Sequence, residues 1–238
     1  MVIRSAGLNQ AQEVPTPPVA STATGRGAVV VNPTTKEITG GVTFTGLTGT
    51  PTAAHIHRAN TIPAIALTLA ADNATATIPP NTTISDADYA ELLAGTLYFN
   101  VHTASNPGGE IRGNITGTTG VTAGLAMLNG ANETPPNAST ATGQGTIVFD
   151  STTYDILICY LTHNVVGTNV AHIHTGAPGV SGPANVVSLT QGTNIYYAPV
   201  PSNVAAHVTD INAGNTYFNV HSQPNFAAGE IRGQIAIQ

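Results

Sequence analysis

The sequence is an internal tandem repeat, and this repeat restricts the chain to two copies of one fold. The stretch AHIH occurs at 54–57 and 171–174, YFNVH at 98–102 and 217–221, and GEIRG at 109–113 and 229–233. A fourth pair, LNQAQEVP and LNGANETP, begins at 8 and at 128. Order and spacing agree along the chain. The sequence therefore predicts two domains, 1–117 and 118–238, joined by a linker too short for free tumbling.

Short alternating segments within each repeat predict β-strands. The runs GAVVVN and GTIVFD are rich in β-branched residues and are bounded by glycine and by asparagine or aspartate. TLYFNVH and GEIRGNI alternate apolar with polar residues, which predicts that Ile points inward and that Glu and Arg point outward. Only 85–95 predicts a helix, with Ser85 as its N-cap. The pattern predicts an all-β chain of two tandem antiparallel Greek-key β-sandwich domains.

The composition excludes several classes of partner. The chain has 238 residues, only 8% of them charged, and a formal net charge of −6. Without a basic surface there is nothing to displace counterions from DNA or RNA, so no nucleic-acid partner is expected. No run approaches the ~18 apolar residues of a membrane span. The single cysteine, Cys159, lies among apolar residues and is predicted to be a buried, inert thiol.

The repeated histidines are the candidate metal ligands. On a strand, the two histidines of an H-x-H motif point to the same face, and a third histidine ends a second strand of the same repeat. Imidazole suits copper and zinc. The candidate ligands are His55, His57, His102, His172, His174 and His221. The alternative interpretation is a hydrogen-bonded histidine cluster without metal. In either case each repeat has a glutamate and an arginine that are predicted to form an ion pair between neighbouring strands, or to contact the ligands on the side away from the metal. These residues are Glu110 with Arg112, and Glu230 with Arg232.

Signs of an enzyme are few. The chain has no G-x-S-x-G elbow and no phosphate-binding glycine loop. The recurring carboxylates are Glu13 with Glu110, and Glu133 with Glu230, so a glycosidase-like acid pair is the enzymatic alternative. His163 and His207 have no histidine counterpart in the first repeat and are expected at the surface. The sequence favours a protein that is not an enzyme.

These motifs resemble those of the chordin-type (CHRD) domain. The first set is LNQAQEVP, STATGRG, AHIHRA, LYFNVHT and GGEIRGNI, and the second repeat carries its own version of each. The resemblance covers nearly the whole chain and implies a secreted, extracellular protein, since the family occurs in chordin and in secreted microbial proteins. The cysteine-rich modules of chordin are missing, which argues against growth-factor antagonism.

A weaker similarity is to the copper half of Cu/Zn superoxide dismutase, which shares H-x-H, a later V-x-H and a glycine-flanked arginine. It implies an Ig-like or superoxide-dismutase-like sandwich with copper on His55, His57 and His102, and with Arg112 guiding anions. The second repeat carries the same set. The zinc subloop, the bridging histidine and the paired cysteines of that family are missing, so rapid dismutation is not expected.

Three functions therefore compete at this stage. The first is a secreted structural or adhesive protein of a cell surface, matrix or fibre, which would associate with itself or with other extracellular proteins. The second is an extracellular copper-binding or copper-handling protein that uses one histidine triad in each domain. The third is an oxidoreductase similar to superoxide dismutase. The lysine-poor, Thr- and Gly-rich composition and the missing catalytic constellation favour the first.

Overall fold

The structure is a computed structural model that describes residues 1–17, 19–59, 62–167, 169–192 and 195–238. It divides into two compact units, Met1–Val121 and Thr122–Gln238. The sequence placed the boundary between 117 and 118, four residues earlier than this division. Each unit is described by itself below.

The first unit contains nine strands and one α-helix within the described residues. The helix α1 is Asp86–Ala94. The strands are β1 Val2–Asn9, β2 Thr24–Val31, β3 Ile38–Thr45, β4 Pro51–His57, β5 Pro63–Ala66, β6 Thr68–Leu69, β7 Thr75–Thr77, β8 Tyr98–Thr103 and β9 Ile111–Asn114.

Non-local antiparallel pairing organises this unit. Its strand order is β5-β4-β8-β9-β1-β2-β3-β7-β6, so that the last strand, β9, lies beside the first. The β-branched run of β2 pairs along its whole length with both β1 and β3. Its residues Val29 and Val31 are fully buried with Phe44, Phe99 and Ile111 in one apolar core. The core of the unit is therefore built from alternating strand residues, as the sequence pattern indicates.

The second unit contains nine strands and one short α-helix within the described residues. The helix α2 is Val208–Asn212. The strands are β10 Val121–Asn129, β11 Thr142–Asp150, β12 Ile156–His163, β13 Asn169–Thr175, β14 Val187–Gln191, β15 Ile195–Tyr197, β16 Thr216–Ser222, β17 Phe226–Gln234 and β18 Ala236–Ile237. Their order is β11-β12-β15-β14-β13-β16-β17-β10-β18, and β11 also pairs with β10, which closes the sheet on itself.

The predicted fold class is confirmed: both units are all-β and antiparallel, with sandwich- or barrel-like sheets. The predicted helix is also present. Ser85 Oγ accepts a hydrogen bond from the Asp88 N–H at 3.0 Å, and Gly95 ends the helix in the left-handed conformation at φ 72°. The corresponding segment of the second unit is the five-residue α2. No helix in the described ranges is long and apolar enough to cross a membrane.

Candidate metal centre

Three histidines of the first unit meet on one face of two adjacent strands. His55 and His57 alternate with the fully buried Ile56 along β4, so both imidazoles lie on the face opposite the core. Strand β8 pairs with β4 and places His102 beside them. The ring centroid of His55 lies 5.2 Å from that of His57 and 5.0 Å from that of His102. His55 Nδ1 and His102 Nε2 are 3.1 Å apart.

The second unit repeats this arrangement on β13 and β16. The ring centroids of His172, His174 and His221 lie 5.4 to 5.7 Å apart. The Nε2 atoms of His174 and His221 are separated by 3.3 Å. In both triads one ring nitrogen from each histidine lies within 4.8 Å of the other two. The structure thus brings together all six predicted ligands, three in each unit.

Backbone carbonyls fix the tautomers of three of these rings. His102 Nδ1 contacts Pro107 O at 3.0 Å, His174 Nδ1 contacts Gly182 O at 2.9 Å, and His221 Nδ1 contacts Ala227 O at 3.1 Å. A carbonyl oxygen only accepts, so each Nδ1 must carry the proton. Each Nε2 then offers a lone pair to the centre of the triad, as in histidines that ligate metals.

Burial keeps the rings neutral. Loss of hydration lowers the pKa of His102 from 6.5 to about 4, although the hydrogen bond to Pro107 opposes the shift. Burial likewise lowers the pKa of His174 to about 4 and also lowers the pKa of His55, His172 and His221. A neutral imidazole is the form that binds a metal ion, so burial favours the ligating form of these five rings at neutral pH.

The triads fit a copper or zinc ion. Two nitrogens bound to one tetrahedral metal at 2.0–2.1 Å lie about 3.4 Å apart. The separations of 3.1 Å and 3.3 Å between the nearest nitrogens are close to that value. Three imidazoles leave one coordination position open. In the second unit the three histidines line a pocket of about 340 Å³, together with Val170, Ala184 and Ala227 among others, which leaves room for a further ligand.

A tyrosine and an arginine extend each triad, and sequence reasoning missed the tyrosine. The Tyr98 ring stacks on His57 with centroids 5.2 Å apart and an interplanar angle of 11°. Arg112 Cζ lies 3.5 Å from the centre of the same ring. Tyr217 occupies the same place between His174 and Arg232 in the second unit. The signal was available, because the tyrosine alternates with the asparagine and the histidine of YFNVH.

Strand β8 lies between β4 and β9, so the Tyr98 ring separates Arg112 from the histidines. Arg232 is 2% exposed and donates to Thr134 Oγ1, Ala177 O and Gln234 Oε1. The weaker resemblance implied an arginine that guides anions to the metal. Both arginines lie against the tyrosine ring, and the implied role in guiding anions stays a prediction.

The predicted ion pairs of Glu110 with Arg112, and of Glu230 with Arg232, do not form among the described residues. Glu110 and Glu230 are buried, not directed outward, and bond to hydroxyl groups. Each glutamate and arginine still alternate with a core isoleucine, Ile111 or Ile231, but the segment after the first strand of each unit covers this face: Ser21 donates to Glu110 and Ser139 donates to Glu230.

Glu13 and Glu133 belong to the same buried polar layer. Each is 7% exposed, and the Nδ2 of Asn100 lies 3.4 Å from Glu13 Oε2. Burial raises the pKa of both carboxyls from 4.5 to about 7, against the opposing charges of Arg112 and Arg232. A glycosidase-like pair of Glu13 with Glu110 has no support here, because the acceptor positions of Glu110 are occupied by protein donors.

The single cysteine and the two histidines outside the triads are Cys159, His163 and His207. Cys159 is buried, as predicted, and burial raises the pKa of its thiol. His163 is less exposed than expected, whereas the surface position expected for His207 stays a prediction. His163 stacks on Tyr196 with ring centroids 5.3 Å apart and accepts from the Val165 N–H, and His207 is half-buried.

Comparison with known proteins identifies the fold unit. No curated protein and no solved structure matches the chain significantly. The family model of the CHRD domain matches twice, over residues 4–115 and 125–235, and these two ranges contain every triad histidine. CHRD domains are in general domains of the extracellular type. The chain therefore belongs to the CHRD domain family, with two CHRD domains in tandem.

Proposed function

We propose that this chain is a secreted protein, not an enzyme, whose two CHRD domains each bind one copper or zinc ion through three histidines. The observation that carries this proposal is the contact between His174 and His221. Both Nδ1 atoms donate to carbonyl oxygens, so two Nε2 lone pairs face each other at 3.3 Å. Two such lone pairs repel unless a cation lies between them.

A metal ion suits this position better than a proton. A proton shared by His174 and His221 would leave a buried imidazolium, and burial lowers the pKa of both rings. A metal ion bound by three neutral imidazoles satisfies all three lone pairs at once. His172 supplies the third, since its buried Nδ1 has no hydrogen-bond partner within the described residues.

Copper is the preferred ion of the two. The donor set contains imidazole nitrogen alone, without thiolate or carboxylate, and for nitrogen ligands divalent copper binds more tightly than zinc. Copper that is held by three histidines, with no carboxylate among its ligands in the described residues, would be stored or handed on. We therefore expect the copper-loaded protein to consume superoxide no faster than the metal-free protein does.

The test is a calorimetric titration of the metal-free chain with Cu(II) and, separately, with Zn(II) at pH 7. We expect two sites per chain, one site after either His57→Ala or His174→Ala, and none after both. His207→Ala is the matched control, because it removes a half-buried histidine outside the triads. An unchanged stoichiometry in the double variant, or no binding by the wild type, would return the triads to a purely structural role.

A structural or adhesive role is the second candidate, and the first is compatible with it. It is supported by the lysine-poor composition and by large apolar side chains left exposed, among them Val14 at 73%, Met127 at 67% and Val166 at 89%. Self-association or binding to another extracellular protein would cover them. Light scattering and electron microscopy with and without Cu(II) test this role, and a strict monomer under all conditions argues against self-association.

A further inference from the structure

The two domains treat one buried carboxylate differently. In the first unit, Glu110 accepts four hydrogen bonds: from Ser21 Oγ at 2.6 Å, from Thr103 Oγ1 at 2.6 Å, and from the Thr48 N–H and Oγ1 at 2.8 and 2.7 Å. A carboxylate has about four acceptor positions, so protein donors fill this group completely. Burial opposes ionisation, but these donors hold the pKa of Glu110 at about 2.

In the second unit, Glu230 receives only half of this set. Ser139 Oγ donates to Glu230 Oε1 at 2.7 Å, and Ser222 Oγ donates to Oε2. These donors correspond to Ser21 and Thr103. No described residue donates from the position of Thr48, where the loop after β12 carries Val165 and Val166 instead. Donors from the described residues therefore leave about two acceptor positions of Glu230 open.

A pocket lies where the missing donor would be. It has a volume of about 240 Å³, and Glu230, Ser139 and Ser222 form part of its wall. Asn164, Asn225 and Phe226 also line it, and the side chain of Val166, 89% exposed, stands at its rim. No Lys or Arg in the described part of the chain forms an ion pair with Glu230.

We propose that this pocket binds a primary ammonium group, with Glu230 as its counter-ion. An ammonium has three N–H donors, which match the free acceptor positions of Glu230 and the side-chain carbonyl of Asn225. The Phe226 ring adds a face that attracts cations. The pocket is wide enough for the methylene groups that carry such a head group, and the negative net charge of the chain favours a cationic ligand.

A calcium ion fits the same residues less well. Calcium takes six to eight oxygen ligands, whereas the hydroxyls of Ser139 and Ser222 are committed to Glu230 and the Asn164 carbonyl accepts from the Thr142 N–H at 2.7 Å. The first unit offers the internal control, because Thr48 fills the corresponding space there. The ammonium site is therefore expected in the second domain only.

The experiment is a titration of the uniformly ¹⁵N-labelled full chain with n-butylammonium chloride, followed by NMR at pH 7. A chelator is present so that the amine does not bind metal at the triads. We expect saturable shifts of the amide signals of Ser139, Asn164, Ser222 and Phe226. Glu230→Gln should weaken binding at least tenfold, and the matched variant Glu110→Gln should leave it unchanged. Sodium chloride and n-butanol control for ionic strength and for the alkyl chain.

Two further arms make the outcome decisive. An acetylated, amidated lysine that binds more tightly than n-butylammonium assigns the site to a lysine side chain of another protein, and weaker binding assigns it to free amines. If Glu230→Gln does not fold, Phe226→Leu and Asn225→Ala at the rim should each weaken binding about threefold. Equal affinity in Glu230→Gln, shifts confined to the first domain, or saturable binding of Ca²⁺ but not of the amine would overturn the proposal.

Discussion

Replacing Glu13 by glutamine should stabilise the first domain at high pH and leave it unchanged at low pH. The Glu13 side chain is 7% exposed, its Oε1 has no hydrogen-bond partner among the described residues, and its contact with Asn100 Nδ2 is long at 3.4 Å. Burial therefore dominates and raises the pKa from 4.5 to about 7. Since one pKa unit corresponds to about 1.4 kcal/mol, the ionised carboxylate costs the folded domain roughly 3 kcal/mol.

The sign follows from proton binding. Between pH 4.5 and about 7 the folded domain holds the Glu13 proton and the unfolded chain does not. The contribution of Glu13 to the free energy of unfolding is fully present below pH 4.5 and is lost as the pH rises through about 7. The introduced amide is neutral at every pH and can donate to the buried Asn100 Oδ1, which has no partner within the described residues. Glu13→Gln should therefore remove this part of the pH dependence.

Amide hydrogen exchange resolved by segment is the appropriate assay. Strands β2 and β8 report on the first domain, and β11 and β16 serve as an internal reference in the same chain. Exchange is compared between variant and wild type at pH 5 and pH 8.5, because the difference cancels the opposite pH dependence contributed by His102. We expect the variant to be better protected by less than about 1 kcal/mol at pH 5 and by up to about 3 kcal/mol at pH 8.5. Equal protection at pH 8.5, or a loss of protection, would refute the reasoning.

Three further predictions concern the buried polar layer around Glu13 and the histidine triads. Glu110→Gln should destabilise the first domain at pH 7 by roughly 3 kcal/mol in urea unfolding, because the folded pKa of about 2 lies below 4.5; this contribution is lost as the pH falls from 4.5 through about 2. Gly109→Ala should lower the melting temperature, since φ is +134° and the added Cβ would lie 2.4 Å from Asn100 Oδ1, whereas Gly7→Ala meets nothing within 4 Å. Copper affinity should fall less between pH 7.5 and 6 than for a site of fully hydrated imidazoles, because burial lowers the pKa of His102 and His174 to about 4 and also lowers the pKa of His55, His172 and His221; titrations at several pH values measure this.

The sequence was sufficient for those features that follow from local periodicity. The period of two along a strand places His55 and His57 on one face. The motif YFNVH, which lies on a neighbouring strand, contains His102. The helix α1 was equally readable, because Ser85 and Gly95 mark its two ends. His55 and His57, like Ser85 and Gly95, lie within ten positions of one another, whereas His102 lies 47 positions from His55 and was predicted because the motif recurs in both repeats.

What the sequence did not predict is that the polar face of β8 and β9 is buried. Tyr98 and Asn100 alternate with core residues and so predict an exposed face, yet they are 2% and 4% exposed. The segment between β1 and β2 covers them: Glu13 contacts Asn100, Val19 bonds to Asn106, and Ser21 bonds to Glu110. These contacts join residues 87 to 89 positions apart, and alternation along a strand carries no information about such a cover.

Burial links the fold to the chemistry proposed for it. Imidazoles on an open sheet face would be hydrated and partly protonated near pH 6.5, and would compete poorly for a metal ion in mildly acidic surroundings. Loss of hydration instead holds His102 and His174 neutral down to about pH 4, and it holds Glu13 and Glu133 protonated up to about pH 7. The carboxyls therefore contribute little negative charge near the triads at pH 6, so the metal ion must be bound by the imidazole nitrogens themselves. Each domain meets this requirement with its own triad, and both copies retain the glutamate, the tyrosine and the arginine around the three histidines.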